Sequence, residues 1–252
     1  MLETFLPTLD PASAAYLAVV FLVAGVVKGF LGIGLPAAAM ALLTLYLEPT
    51  EAIPLLWLPI LATNTLQFLR APEKAAVARD YAWFAVMIVA SIFVTSMFIA
   101  DYPTAFLTVA IGVAMVVFSL NLLLGVKLNI GPGRGWQVGF GLVSGVLGGI
   151  SSIWSPPVAM YLVARGVSKE RFIAATGFLF LAGCLPLGAG QVIAGILTMP
   201  VLLKSLVGLG IVLVGFRIGE ILRGRVSQTH FRRAVLIAFL IMGVRLIAIG
   251  VF

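Results

Sequence analysis

Apolar residues run in long stretches at about 14–34, 36–47, 52–69, 81–100, 104–125, 136–154, 156–164, 172–195, 200–222 and 231–252, parted by short polar or Gly/Pro-rich turns. The stretches are continuous rather than alternating and rich in Gly, Ala and Leu, which points to helices and away from barrel strands. A helix rises about 1.5 Å per residue, so one bilayer crossing takes about 20 apolar residues. The second and seventh stretches, at roughly twelve and nine residues, are too short to cross and each follows a Gly/Pro interruption. The pattern predicts an all-α polytopic membrane protein with roughly eight to ten crossings, some of them short or interrupted.

The ten stretches fall into two sets of five that break at the same place. GVVKGFLG (25–32) and GLVSGVLG (141–148) agree at five of eight positions, and PAAAMALL (36–43) and PPVAMYLV (156–163) at four of eight. The second copy carries about four more residues between these blocks, SSIW. The expectation is an internal duplication in one transmembrane domain: an N-terminal repeat 1–125, a cytoplasmic linker 126–135 and a C-terminal repeat 136–252.

Composition removes the water-soluble alternative. The chain is 252 residues and 26.6 kDa, with 62% hydrophobic and 10% charged residues and a mean hydropathy of +1.19. Too few polar side chains exist to coat a globule of this size. Cys184 stands alone, so an internal disulfide and a multi-thiolate metal site are excluded. The first residues carry Glu3 and Asp10 and no basic segment, so the start reads as mature chain from near Met1 and not as a cleaved signal.

The net charge of +7 matters through its placement. Basic residues collect in cytoplasmic loops near membrane ends. Twelve of the 16 lie in four stretches: Arg70, Lys74 and Arg79; Lys127 and Arg134; Arg165, Lys169 and Arg171; and Arg223, Arg225, Arg232 and Arg233. The opposing turns carry Glu48, Glu51 and Asp101, with Lys204 near. All four basic stretches share one side only if each interrupted region crosses an even number of times. Each copy then crosses an odd number of times, and the two have inverted topology, both termini outside. Nothing in this charge pattern calls for a nucleic-acid partner; the expected partners are the lipid bilayer and a small anion, and a homodimer stays open.

Inverted repeats place a transporter's binding site where discontinuous helices meet, here KGFLGIGLP (28–36) and SGVLGGISSIWSPP (144–157). A half-helix starting at Pro36 or Pro157 presents free N–H groups and the positive end of its dipole to an anion. Ser151, Ser152 and Ser155 add hydroxyl donors, and Trp154 can wall a pocket. Gly25, Gly29, Gly32, Gly141, Gly145 and Gly148 read first as close-packing positions, with Gly32 and Gly34 also at the break. Lys28 is a cation well inside an apolar stretch with no carboxylate near in sequence. Either an anionic substrate is its counter-ion or it snorkels to the inner interface. Arg245 reads equally as an outer-interface anchor. Arg217 and Glu220, three apart on one helix, read as a local pair. Thr63, Asn64, Thr65 and Gln67 form a run more polar than packing requires, for which interhelical hydrogen bonding is the alternative to a site, and Asn121, Thr176 and Gln191 are further polar residues inside spans. The candidate binding set is Lys28, Gly32, Gly34, Asn64, Gln67, Ser151, Ser152, Trp154, Ser155, Gln191 and Arg245.

Other function classes find no support. All nine acids lie at or beyond segment ends, Glu220 alone falling within a span, so a midplane carboxylate relay is missing. His230 sits in a basic loop and reads as solvated. No Walker A run, zinc spacing or nucleophile elbow occurs. No catalytic residue, metal or cofactor is expected, a Ser/Lys dyad between Lys28 and a serine of 151–155 being weighed and set aside.

The two Gly-rich interrupted motifs, each followed by a short apolar stretch and a polar turn (LEPTEA, 47–52; GVSKER, 166–171), resemble the TauE/SafE sulfite-exporter family over essentially the whole chain. The resemblance extends to Gly25, Gly29, Gly32 and Gly34 in the first copy and Gly141, Gly145, Gly148 and Gly149 in the second. It implies a secondary carrier of a small sulfur or organic oxyanion, such as sulfite or sulfoacetate, in the inner membrane, working by alternating access. Where the family often has three successive glycines this chain reads GIGLP and GGISSIWSPP, which bears on the substrate more than on the family. A channel-like anion permease and a non-transporting accessory protein are the competing expectations. Moving one charge through 100 mV is worth about 2.3 kcal/mol, so an interior-negative potential by itself favours export of an anion.

Overall fold

The computed structural model describes residues 11–125, 130–131, 133–225 and 227–252; Glu3, Asp10 and Lys127 of the charge map lie outside the described residues. Every regular element among them is a helix: α1 (Pro11–Leu31), α2 (Leu35–Leu43), α3 (Pro49–Leu55), α4 (Trp57–Leu69), α5 (Lys74–Asp80), α6 (Ala82–Met97), α7 (Thr104–Leu124), α8 (Arg134–Ser151), α9 (Ser155–Ala164), α10 (Lys169–Ile193), α11 (Met199–Arg223) and α12 (Gln228–Val251). Six helices are long and apolar enough to cross a bilayer, α3 and α4 counting as one, and a seventh is present if the pair α5 and α6, bent by 69°, is a single span. That is fewer than eight to ten for physical reasons. At nine and ten residues α2 and α9 are half-length, and α8 is diluted by Arg134, Gln137 and six glycines.

Glycine positions decide which helices touch. α1 lies on α11, α8 on α6 and α7 on α12. A Cβ at Gly25 would stand 3.0 Å from the Phe216 nitrogen and 3.1 Å from Gly215 Cα, and one at Gly219 only 2.7 Å from the Phe30 nitrogen. Backbone therefore meets backbone along α1 and α11, the close approach that small residues allow where no hydrophobic drive separates helix from lipid. On α8, a Cβ at Gly145 would collide with the Ser91 hydroxyl of α6 and one at Gly149 with that of Thr95. Gly25, Gly29, Gly141, Gly145 and Gly148 pack as expected, whereas a Cβ at Gly32 would meet nothing nearer than 3.8 Å, and its φ of 80° marks that glycine as a turn residue and not a packing one.

The α3/α4 break is held by a residue from far along the chain. Pro59 has no N–H to give the Leu55 carbonyl, and the Ser205 hydroxyl of α11 donates to that carbonyl at 2.8 Å while accepting from the Leu58 N–H at 3.3 Å. One hydroxyl closes both groups that the break frees.

The basic stretches meet at one end of the bundle. Arg70 and Arg217 both pair with Glu220, at 3.1 and 3.0 Å. Arg171 bridges Asp80 and Glu73, the Asp80 carbonyl accepts from Gln137, Arg165 reaches the Ile130 carbonyl, and Arg232 reaches the Leu122 carbonyl. Arg134 lies 5.9 Å from the Trp83 ring centre. The Arg217–Glu220 pair is the local one expected, joined by Arg70. His230 is exposed and shares a 2.9 Å hydrogen bond with Ser227. Away from this end, the Tyr16 hydroxyl donates to the Leu42 carbonyl at 2.5 Å, so α2 folds back alongside α1.

Candidate substrate site

The first interruption is closed by side chains and not by further helix. The last carbonyls of a helix lack intrahelical partners, and here Lys28 O accepts from Gly32 N at 2.8 Å, while Gly29 O and Phe30 O accept from the Arg223 guanidinium of α11. Gly34 then takes a left-handed conformation, φ 94°, which a glycine adopts without steric cost, and Pro36 opens α2. The second interruption differs. α8 runs to Ser151, four residues past Leu147, the match of Leu31 in the motif alignment, so SSIW adds about one helical turn. Ser151 is spent locally: its hydroxyl donates to the Leu147 carbonyl and accepts from the Ile153 N–H.

Between the interruptions lies a narrow cavity lined by Lys28, Gly34, Leu35 and Pro36 from the first, Trp154 and Ser155 from the second, Ile60 and Asn64 from α4, and Phe180 from α10. Its volume is about 10 Å³, the space of one water-sized sphere. Lys28, 2% exposed, is the one buried charged side chain among the described residues, and no buried carboxylate accompanies it. Its ammonium donates to Gly32 O at 2.9 Å and Asn64 Oδ1 at 2.6 Å and lies 5.6 Å from the Phe180 ring centre. Every partner is neutral. An ammonium in a low-dielectric interior normally requires a counter-charge, and this site offers dipoles and a ring face only. Nearby, the Trp154 Nε1–H and the Ser155 hydroxyl are buried without a hydrogen-bond partner. Buried polar groups are nearly always paired, so these two unpartnered groups stand out on residues that line the same cavity as the Lys28 ammonium.

A family model described as "Sulfite exporter TauE/SafE" matches residues 17–246, spanning both interruptions. The chain belongs to this family. It is thus a multi-pass membrane transporter. No curated protein and no solved structure matches it.

Against this TauE/SafE frame the candidate residues sort by position. Lys28, Gly34, Asn64, Trp154 and Ser155 line the cavity together. Gly32 is joined to it through its carbonyl. Gln67 is turned to α10, donating to Ile173 O and Thr176 Oγ1 at 2.8 and 3.0 Å. Thr63 and Thr65 donate to their own helix, so the polar run on α4 divides into one site residue, one tie to α10 and two local bonds. Ser152 is buried with a left-handed backbone, φ 57°, and its hydroxyl is unpartnered, but it does not line the cavity. Neither does Gln191, whose buried amide is unpartnered at both ends, or Arg245, half-buried with one free guanidinium nitrogen. The motif position matching Lys28 in the second copy is Ser144, buried and unpartnered. Ile60, Phe180 and Arg223 escaped the sequence reading. The first two are apolar residues inside apolar spans, and Arg223 reads as one of many loop cations.

Proposed function

We propose that this protein is a secondary carrier of a small oxyanion, of the sulfite or sulfonate type and including sulfoacetate, across the inner membrane. The observation that carries the reading is the buried Lys28 ammonium, which faces the meeting point of the two interrupted helix pairs with no carboxylate to neutralise it. In a form of the protein that opens this cavity to one side, an anion there completes the charge balance, accepts from Lys28, Trp154 and Ser155, and lays its apolar end, where it has one, against Ile60 and Phe180. The order of full, half and full helices in each half supports two repeats, 1–125 and 136–252, of inverted topology. Clustering of the cations at one end supports that end as cytoplasmic, with both termini outside. A cavity no larger than one water favours a carrier that opens alternately to each side over a standing pore. The voltage term of about 2.3 kcal/mol per charge per 100 mV favours export unless a cation travels with the anion.

The test is flux in proteoliposomes of labelled sulfite, sulfoacetate, isethionate and short carboxylates under imposed voltage and pH gradients. Saturable flux of a sulfur oxyanion, lost on Lys28→Met, is the expected result. Flux of no anion would defeat the carrier reading, and non-saturating flux would convert it to a channel.

A further inference from the structure

At the basic end, on the other side of the first interruption, a second cavity of about 380 Å³ is present. This is within the range of small-molecule sites, roughly 300–1,000 Å³. Its apolar wall includes Ile33, Leu162 and Phe172, and its cations are Lys169, Arg223 and Arg232; no acid lines it. Of the nearby carboxylates, Asp80 is held by Arg171, while Glu220, paired with Arg70 and Arg217, and Glu170 line an adjoining cavity that shares Arg223 with this one, so Lys169 and Arg232 are the cations farthest from a carboxylate's reach. Arg223 gives Nε–H and one Nη–H to the end of α1, and Arg232 gives one Nη–H to Leu122 O at 3.1 Å. A guanidinium has five N–H donors, so both retain donors. Lys169 has no ion-pair partner among the described residues. Leu31 and Ile33, both in this wall, flank Gly32, whose carbonyl receives the Lys28 bond. The interruption therefore separates two cationic cavities.

We propose that this cavity is an anion-docking vestibule in which Lys169, Arg223 and Arg232 hold a small soluble oxyanion on its way to or from the Lys28 site. The proposal rests on the carrier reading for its direction, though the docking site stands on its own residues. A one-sided cluster of cations with low-dielectric walls raises the local concentration of anions, and the planar guanidinium matches an oxyanion in two-point contact. A lipid phosphate offers the same chemistry, so the experiment must separate the two.

The test places a thiol on the wall by Val163→Cys or, in a second variant, Val167→Cys, in full-length protein in nanodiscs. Fully buried Cys184 is controlled by the parent protein. Labelling rates with anionic, cationic and neutral methanethiosulfonates are each normalised to a free thiol. The expected normalised anionic-to-cationic ratio is about tenfold or more, falling about fivefold or more when Lys169→Gln and Arg232→Gln are combined, with Arg223 left in place to hold α1. In phosphatidylcholine nanodiscs, millimolar sulfoacetate slows labelling by the neutral reagent. A ratio near that of the free thiol, or one indifferent to the paired substitution, overturns the proposal. Protection by added phosphatidylglycerol with none by sulfoacetate assigns the cations to lipid phosphate and overturns it also. Labelling reads no transport: a full charge signature with no flux of any anion defeats the carrier reading alone, and saturable flux with a flat ratio defeats the vestibule alone.

Discussion

Asn64 presents its oxygen to Lys28 because its own amide nitrogen is committed, donating to the Ile60 carbonyl at 2.8 Å while Oδ1 accepts from the ammonium at 2.6 Å. The amide is oriented from within α4, and it lends a dipole without cancelling the charge.

Lys28→Met separates function from folding. The change removes a buried charge, which costs folding energy, and leaves the Gly32 and Asn64 oxygens short of a donor, at about 1–3 kcal/mol each. The terms oppose, so the expected protein melts within a few degrees of wild type and transports at least about a hundredfold more slowly, 2.7 kcal/mol of lost transition-state binding. Sulfite flux beside a detergent melting curve checks both.

Asn64→Asp supplies the missing counter-ion. A carboxylate at this distance pairs with Lys28 and takes the place the substrate would fill. Half-saturating anion concentration is expected to rise about tenfold or more, since a 1.4 kcal/mol competition is already a factor of ten, while the new ion pair offsets the lost donation to Ile60 O and the melting temperature stays within a few degrees of wild type. A variant that melts earlier and binds as before contradicts the assignment.

Trp154→Phe tests the free indole donor. The ring packs edge-on to Phe180, centroids 5.8 Å apart, while Nε1 bonds to nothing in the protein. Phenylalanine keeps an apolar ring there and orphans no partner; the void left by the smaller ring is set against removal of a buried unpaired N–H, so the melting temperature should move by no more than a few degrees while anion affinity falls by about 1.5–3 kcal/mol, the worth of a hydrogen bond to a charged group. Inhibition of flux by graded unlabelled anion measures it.

Two glycine substitutions should part company. Gly29→Val puts carbon into the Phe216 backbone, whose Cα lies 3.0 Å from a Cβ at that position, and overpacking of this kind costs about 1–3 kcal/mol or more. Gly139→Ala meets nothing within 4 Å and should gain up to about 1 kcal/mol of helix propensity. Chemical denaturation in mixed micelles ranks them.

Ser205→Ala removes the hydroxyl that serves Leu55 O and Leu58 N–H. Loss of about 1–3 kcal/mol is expected from the orphaned groups, read as a lower midpoint in the same denaturation, and Ser205→Thr should restore most of it.

The helices, the half-length α2 and α9 and the shared basic end were legible because hydrophobic length and cation placement are written locally. Lys28, Gly34, Asn64, Trp154 and Ser155 were legible for a related reason: each is polar, or breaks a helix, where lipid tolerates neither. Ile60 and Phe180 were not, since a cavity wall and a lipid-facing side chain are the same residue types in a membrane. Gln67, Gln191 and Arg245 had the right chemistry, and only the packing of helices distant in sequence placed them off the cavity. That packing left no alternating stripe to read, because α1 and α11 meet through glycines.

That contact also bears on how the molecule is made. α1 ends at Leu31 and its glycine face is covered by α11, which begins at Met199, and α6 waits likewise for α8. Until α11 and α8 are made, the Gly25 and Gly29 face of α1 and the Ser91 and Thr95 face of α6 lack the partners that cover them in the folded protein. Because α1, α6 and α7 find these partners only in α11, α8 and α12, two fragments cut within 126–135 and expressed together are expected to reassemble where either alone would be left for proteolysis.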